Sequence, residues 1–430
     1  MIIDDFTSAC AKQCSGSKTT LSLIDLAELQ ETVPESLSNF AKATTELIKS
    51  NNYKTVSDAR SNTREFAVSS KRDLVDLVHF AKNLNTKEGK NLAEVILSAV
   101  KYNRTSSEMT NSYGLSIYFP YKDPSKVDAA VSQYNAIGLD GEYSECIKQF
   151  AGYETAGQTA SGGSSSPLSS LLGNFTSSGT HSSFDISSLL SSFLGSEDGK
   201  SAEYMQSLDT GAASTYIASN QFDASKLRWE IANGQKVMSL TEDQWKLVSD
   251  LELNVFIDDG QGFIDLGMDP VFEFDDKCRL IGEYEGTWLA INGQIVAAYH
   301  TDTTYISKNN YCFNYRVPVL LNGDRAELIL VFDNENPDGY VAGARFVYKN
   351  GETDTAAKDL TYLQDGDKID FLCDYYAYDG TYSDTYMFGE QYVVNGTPRV
   401  SDVTIPSNID TSAVYRFTDI YGQNYWTPEM

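Results

Sequence analysis

Basic residues, histidine and long apolar runs are all scarce in this sequence of 430 residues. Lysine and arginine number 33 against 60 aspartates and glutamates, which leaves a net charge of −27. Binding to a nucleic-acid backbone or to an anionic membrane surface needs clustered cations, so the composition argues against both partners. The longest uncharged stretch is rich in serine and glycine, and it predicts no transmembrane segment.

Cysteine and histidine also limit the chemistry. The six cysteines are scattered without C-x-x-C spacing, so neither a zinc ribbon nor a dense disulfide scaffold is indicated. Only His79, His181 and His300 are present to activate a thiol, and none follows a glycine-rich approach. G-x-S-x-G, Walker A, dinucleotide-binding and H-E-x-x-H motifs are absent, which argues against the common hydrolase, nucleotide-binding and zinc-peptidase classes.

The amino terminus begins MIIDDF, with Asp4 and Asp5 where a signal peptide would have a basic and then an apolar region. The acidic, lysine-poor composition with 27 tyrosines nevertheless suits an extracellular or cell-surface bacterial protein. We therefore expect an export signal to lie upstream of the first residue.

Charge and composition divide the chain into three regions. Residues 1–150 have 17 basic and 19 acidic residues, whereas the rest of the chain has 16 and 41. Residues 151–200 contain 15 serines and 8 glycines, a composition typical of linkers. We predict a first domain over residues 1–155, a Ser/Gly-rich linker or excursion over 156–200, and an acidic module over 201–430.

The first region alternates helical and strand-like patterns, which predicts an α/β fold. The apolar run at residues 19–26 predicts a buried, parallel strand, and the alternation of Leu115, Ile117 and Phe119 predicts a second strand. Helices are predicted at residues 4–14, 34–50, 74–84, 88–101, 124–135 and 143–153. Two strands are too few for a free-standing layered sheet, so the region resembles the back half of a domain.

Asn-Gly pairs recur in the third region, after a helix predicted near residues 202–214. Such pairs favour two-residue hairpin turns, because a type I′ turn requires a positive φ at both central residues. We predict an all-β, hairpin-rich module of the sandwich or barrel type. The pairs are Asn233-Gly234, Asn292-Gly293, Asn322-Gly323, Asn350-Gly351 and Asn395-Gly396.

One acidic segment is a candidate calcium site. FIDDGQGFIDLGMD places Asp258, Asp259, Asp265 and Asp269 around glycines, and hard oxygen ligands at short spacing can bind calcium. The segment lacks the ligand order of an EF-hand, so an acidic turn between strands is the alternative interpretation. No other cofactor is indicated.

Aromatic residues of the third region suggest a second candidate surface. Tyr375, Tyr376, Tyr378, Tyr382 and Tyr386, with Trp288 and Trp426, could form a platform on which sugars stack. Pairing between neighbouring strands explains the same tyrosines, and we favour this second interpretation.

Several blocks of the first region resemble the downstream part of clostripain-type cysteine peptidases (C11-like). These blocks are TTLSLIDL, DLVDLVHFAKNL, NRTSSEMTNSYGLSIYFPY, the Tyr-x-x-Ile-Gly segment at residues 134–138, and EYSECIKQFAGYE. The acidic module, which ends FTDIYGQNYWTP, is similar to the C-terminal extension of such proteins in gut clostridia.

The resemblance implies a caspase-like fold over residues 1–155, secretion, and cleavage after Arg or Lys by a Cys-His dyad, with calcium and self-processing in some members. The dyad belongs to His-Gly-Gly-Gly-like and Asp-x-Cys-like motifs, and neither motif is present here. Cys10 and Cys14 lie in a predicted helix and do not match the nucleophile's motif. We therefore assign no catalytic residue and expect the chain alone to be inactive.

Three accounts of the missing motifs remain open. The chain is a fragment of a full peptidase, a processed chain that needs a missing partner, or a stand-alone non-catalytic protein. Under the first account its partner is a protein or peptide substrate, once the upstream half is supplied. Under the third, the acidic module binds a sugar, cell wall or protein.

Overall fold

A computed structural model describes residues 2–13, 19–66, 72–106, 109–121, 123–161, 203–307, 310–347, 360–378 and 382–430. The α-helices are α1 (Ile2–Gln13), α2 (Leu26–Leu47), α3 (Tyr53–Ser61), α4 (Leu77–Leu84), α5 (Lys87–Ala99), α6 (Val127–Ala136), α7 (Gly141–Ala160), α8 (Thr210–Ser219) and α9 (Glu242–Trp245). A π-helical turn covers Ile48–Asn52, and short 3₁₀ turns cover Pro124–Lys126, Glu203–Ser207 and Ala224–Lys226.

The strands of the first region are β1 (Thr20–Ile24), β2 (Glu65–Phe66), β3 (Leu74–Asp76), β4 (Val100–Thr105) and β5 (Ser116–Tyr118). Those of the third region are β6 (Glu230–Ala232), β7 (Gln235–Met238), β8 (Val248–Asp258), β9 (Gly262–Asp269), β10 (Leu280–Ile281), β11 (Thr287–Ile291), β12 (Gln294–Ile295), β13 (Ala298–Ser307), β14 (Asn310–Leu321), β15 (Asp324–Asp333), β16 (Tyr340–Phe346), β17 (Lys368–Ala377), β18 (Tyr382–Met387), β19 (Tyr392–Val393), β20 (Val400–Thr404), β21 (Asp410–Asp419) and β22 (Asn424–Trp426).

The first region mixes helices with two small antiparallel sheets. β1 pairs with β4, and β3 lies between β2 and β5. The prediction of a buried, parallel strand at residues 19–26 is therefore wrong, because β1 is antiparallel and Leu23 is 57% exposed. This strand contacts α1 and is exposed or half-buried along its length, whereas a buried parallel strand is covered by helices on both faces.

The helix predicted over residues 74–84 is divided by Asp76. Residues 74–76 form β3, where Leu74 pairs with Tyr118, and α4 begins only after them. The Asp76 carboxylate accepts a hydrogen bond from the His79 backbone N–H at 2.9 Å, so it caps the helix at this point. Its other oxygen accepts from the Tyr113 N–H at 2.6 Å, which joins the cap to the loop before β5.

The third region is built around a mixed sheet of eleven strands. Its main path runs β16-β15-β14-β13-β9-β8-β21-β22, and β17 pairs with β14, β18, β19 and β9. Two three-stranded sheets, β10-β7-β6 and β12-β11-β20, accompany it. The predicted β-rich character is confirmed, although α8, α9 and the 3₁₀ turns make the module not entirely β. The helix predicted near residues 202–214 is a 3₁₀ turn followed by α8.

Three of the five Asn-Gly pairs close hairpins as predicted. Both residues have positive φ at 233–234, at 292–293 and at 322–323, which join β6 to β7, β11 to β12 and β14 to β15. The hairpin predicted at 395–396 is wrong, because the preceding strand β19 pairs with β17 instead. The pair at 350–351 lies outside the described residues, as does most of the predicted linker, whose first residues continue α7 to Ala160.

The first region and the β module share one buried apolar cluster. Tyr421, in the turn between β21 and β22, stacks on Tyr53 with ring centroids 5.4 Å apart. Gln158 donates a hydrogen bond to the Tyr421 carbonyl oxygen at 2.7 Å. A Cβ on Gly157 would lie 2.3 Å from the Tyr421 ring, so only glycine allows this approach of α7 to the turn.

Candidate functional site

Asp258 and Asp259 hold the turn between β8 and β9. Asp258 accepts a hydrogen bond from the Gly260 N–H at 2.8 Å, and Asp259 accepts from the N–H groups of Gln261 and Gly262 at 2.8 and 2.9 Å. These are the local bonds by which aspartate stabilises turns. The turn interpretation therefore accounts for both residues.

Asp265 is buried within the sheet and has three hydrogen-bond donors. Oδ1 accepts from Asn254 Nδ2 at 3.0 Å and from the Gly267 N–H at 2.8 Å, and Oδ2 accepts from the Tyr299 hydroxyl at 3.3 Å. Burial raises the pKa of Asp265 to about 6 despite these bonds. The carboxyl group thus joins β8, β9 and β13.

The structure does not bring the four candidate calcium ligands together. Asp269 lies at the far end of β9, where the Tyr315 hydroxyl donates to it at 3.0 Å and burial raises its pKa to about 6. Within the described residues, no group of three or more His, Cys, Asp or Glu side chains is placed to hold a metal ion. The calcium hypothesis for Asp258, Asp259, Asp265 and Asp269 thus receives no support from this geometry.

A charged network that the sequence did not indicate lies beside Asp269. Glu252 on β8 accepts a hydrogen bond from the Arg416 guanidinium, and its other oxygen lies 3.5 Å from Nδ1 of His300. Burial opposes ionisation of Glu252, but the hydrogen bond from His300 and the charge of Arg416 outweigh it and lower the pKa. The partners are far apart in sequence, so no local pattern could reveal this network.

Cys146, Cys373 and His79 are not poised for catalysis. Burial raises the pKa of the Cys146 and Cys373 thiols to about 12, so both stay protonated at neutral pH. His79 accepts a hydrogen bond from the Arg64 N–H at Nδ1, at 2.8 Å, and burial lowers its pKa to about 4. Cys14 and His181 lie outside the described residues.

Tyrosines of β17 and β18 form pairs across the two strands, as we predicted. The rings of Tyr375 and Tyr386 lie 5.0 Å apart, and those of Tyr376 and Tyr382 lie 5.7 Å apart. Tyr378, Tyr382 and Tyr386 nevertheless remain 39%, 49% and 48% exposed. We call β17, β18 and these tyrosines the tyrosine ribbon.

Acidic side chains border the tyrosine ribbon. The Tyr375 hydroxyl donates to Asp259 at 3.0 Å, and the Tyr378 hydroxyl donates to Asp258 at 2.5 Å. Trp288 does not extend the platform, because it is buried and bonds to the Val296 carbonyl oxygen at 3.1 Å. Trp426 is partly buried and packs on the same apolar cluster as Tyr376. The exposed aromatic surface is therefore smaller than the sequence suggested.

A buried group of charges lies where α7 meets the β module. Arg60 is 1% exposed and donates hydrogen bonds to Glu65 at 3.2 Å and Asp73 at 3.3 Å. Glu154 on α7 is equally buried, and neither of its carboxylate oxygens has a hydrogen-bond partner in the described part of the chain. Burial raises the pKa of Glu154 well above its ordinary value.

Comparison with known proteins returned no matching family model, no matching curated protein and no matching solved structure. Among the described helices, none has both the length and the apolar character needed to cross a bilayer.

Proposed function

We propose that this chain is the downstream, non-catalytic part of a secreted clostripain-like cysteine endopeptidase that cleaves after Arg or Lys. Its first region would form the back of a caspase-like domain. The Cys-His dyad would come from residues outside this chain, because no sequence motif for it is present.

The convergence of the resembling blocks on strand β5 carries this proposal. β3, from the DLVDLVHF block, pairs with β5, from the GLSIYFP block. The backbone N–H of Tyr118 donates to the Tyr134 hydroxyl at 3.0 Å, and the Tyr143 hydroxyl donates to the Tyr118 carbonyl oxygen at 2.7 Å. Three blocks that are separate in sequence thus contact a strand of the fourth block, as expected if all four belong to one architecture.

Hydrolysis of Arg-P1 and Lys-P1 fluorogenic peptides tests this proposal. We would compare the 430-residue chain with a version extended upstream along its genomic reading frame, each with and without calcium. Activity in the extended form alone is the expected result. Inactivity of both forms, with the extended form folded, would contradict it. Activity of the short chain would show that one of its own cysteines is the nucleophile.

A second candidate function is non-catalytic extracellular binding through the acidic module. The exposed rings of Tyr382 and Tyr386 favour it, because an aromatic surface bordered by hydrogen-bonding groups suits sugars, cell wall or polypeptides. Cosedimentation with bacterial cell wall and with insoluble polysaccharides tests this function. Binding that is lost in the Tyr382→Ser/Tyr386→Ser double variant supports it, and equal binding by that variant would place the ligand elsewhere.

A further inference from the structure

We propose that Thr303, His300 and Glu252 form a hydroxyl–imidazole–carboxylate triad in which the Thr303 hydroxyl is a nucleophile towards acyl esters. The inference goes beyond both candidate functions and depends on neither, because none of the three residues belongs to the clostripain-like blocks or to the tyrosine ribbon. It depends on the contacts between the three side chains, on a bulge in β13 and on their burial.

The three side chains contact one another in the order that an activated nucleophile requires. Nε2 of His300 lies 2.7 Å from Oγ1 of Thr303, and Nδ1 lies 3.5 Å from one carboxylate oxygen of Glu252. Hydroxyls are activated on unrelated folds by a base within hydrogen-bond reach, which a third group orients. The contact with Glu252 is longer than a hydrogen bond, and such contacts often tighten only when substrate binds.

Glu252 sets which ring nitrogen of His300 has the proton. The Arg416 guanidinium donates to the second carboxylate oxygen of Glu252, and this positive charge favours the ionised carboxylate, which can only accept hydrogen bonds. The carboxylate therefore attracts an N–H at Nδ1 and leaves the lone pair of Nε2 facing Thr303. The Thr303 hydroxyl then donates its hydrogen bond to Nε2, as a nucleophile must.

A β-bulge brings His300 and Thr303 onto one face of β13. His300 pairs with Tyr315 of β14, and the next-but-one residue of β14, Phe313, pairs with Thr303. Residues two apart in a regular strand share a face, whereas residues three apart do not. The extra residue in β13 is Thr301, which has no partner in the register and so corrects the mismatch. Bulges are enriched next to active sites, where they redirect a side chain.

Burial increases from the hydroxyl to the carboxylate. Thr303 is half-buried, whereas the side chains of His300 and Glu252 are 15% and 4% exposed. A partly exposed hydroxyl can meet a substrate from solvent, and a buried carboxylate acts on the imidazole with little screening by water or salt. The Tyr315 ring meets the imidazole edge to face, with centroids 5.5 Å apart, and so contacts a further side of the ring.

The proposed chemistry is an acyl transfer in two steps. In the first, Oγ1 of Thr303 bonds to the acyl carbon and its proton moves to Nε2 of His300. The bond to the alcohol then breaks, and the alcohol leaves with that proton. In the second step, water gives a proton to Nε2 and bonds to the acyl carbon, and Oγ1 leaves and recovers the proton. The products are an alcohol and a carboxylic acid.

Diisopropyl fluorophosphate tests the nucleophile in the unaltered, intact chain. Attack by Oγ1 forms an oxygen–phosphorus bond, expels fluoride and transfers the hydroxyl proton to Nε2, and peptide mass spectrometry locates the stable product. Thr303 should be modified at least about hundredfold faster than Thr301, whose hydroxyl donates to the Asn314 carbonyl oxygen at 3.0 Å. Equal modification of the two threonines, or modification of neither, would overturn the proposal.

Hydrolysis of p-nitrophenyl acetate tests nucleophile and base together. Thr303→Val removes the hydroxyl at nearly constant size and His300→Gln removes the base, so each should lower kcat/KM at least about hundredfold. Thr303→Ser should retain the activity, and Thr301→Val, the matched control on the same strand, should equal the wild type. An equal loss in Thr301→Val, or hydrolysis that iodoacetamide abolishes by alkylating a cysteine, would contradict the assignment.

Glu252 is a positioning residue, so its test reads the imidazole directly. Nitrogen-15 NMR of protein labelled at histidine reports the protonated ring nitrogen, and the signal lost in His300→Gln identifies His300. The wild type should have its proton on Nδ1. In Glu252→Gln, with the amide oxygen held by Arg416, the amide N–H would face Nδ1 and should favour the proton on Nε2. A proton on Nε2 in the wild type would overturn the triad, whatever the chain does to peptides or cell wall.

Discussion

Replacing Glu154 with an uncharged residue should stabilise the protein at neutral pH. Glu154 is 1% exposed on α7, and both of its carboxylate oxygens are unpaired within the described structure. Burial and the nearby charge of Asp73 raise its pKa, and Arg60 opposes this shift. Arg60 cannot fully compensate, because it already donates hydrogen bonds to Glu65 and Asp73.

Two effects set how much the substitution of Glu154 changes the free energy of unfolding. An unpaired buried polar group costs about 1–3 kcal/mol, so Glu154→Met should raise the free energy of unfolding by about this amount while the carboxyl group is neutral. Because the pKa of Glu154 in the folded protein lies above its ordinary value of 4.5, the wild type loses stability as pH rises from 4.5 towards the folded pKa. Over this window the gain from the substitution should grow by up to about 1.4 kcal/mol for each pH unit.

Urea unfolding followed by tryptophan fluorescence between about pH 5 and pH 8 measures both effects. Glu145→Gln is the matched control, because Glu145 lies on the same helix and its side chain remains 37% exposed in its ion pair with Lys49. The control should change the free energy of unfolding by less than about 1 kcal/mol. A destabilised Glu154→Met variant at pH 8, or a gain that does not change with pH, would refute the reasoning.

Three further perturbations follow from the same structure. Gly157→Ala should destabilise the protein by about 1–3 kcal/mol and lower its melting temperature, because the new Cβ would overlap the Tyr421 ring. Gly141→Ala is the control, because a Cβ there lies in open space on the same helix. If both variants had the melting temperature of the wild type, this packing would be contradicted. Asp265→Ala should cost at least about 2 kcal/mol in urea unfolding, because it leaves three donors without their acceptor. Since the folded pKa of Asp265 is about 6, this cost should be larger near pH 4 than at pH 7, and the opposite trend would refute the assignment. Added calcium should leave the melting temperature unchanged, and a rise would show that the protein binds calcium.

Patterns with a short range in sequence predicted local structure well. Asn-Gly favours positive φ at both residues wherever it lies between pairing strands, and three hairpins follow this rule. The same rule failed at residues 395–396, because β19 finds its partner in β17, far from the turn. The helix predicted over 74–84 failed for a related reason, since pairing with β5 draws its first residues into a strand.

The candidate sites depended on contacts that no local pattern contains. The aspartates at 258 and 259 were recognisable as a turn, but Asp265 obtains its donors from three strands, and Glu252 obtains Arg416 from 164 residues away. The spacing of tyrosines predicted cross-strand pairs. It could not show the bulge that separates Tyr382 and Tyr386 onto opposite faces, because a bulge is a property of register between two strands.

By itself, the sequence determined the acidic character of the third region, three of its hairpins, the mixture of helices and strands, and the absence of recognisable catalytic motifs. These properties follow from composition and from neighbouring residues along the chain. Tertiary structure alone decided that Tyr421 packs on Tyr53, that Glu154 is buried with no hydrogen-bond partner among the described residues, and that β18 pairs with β17. Each of these arises because folding brings distant segments into contact, and burial and strand pairing exist only once that contact is made.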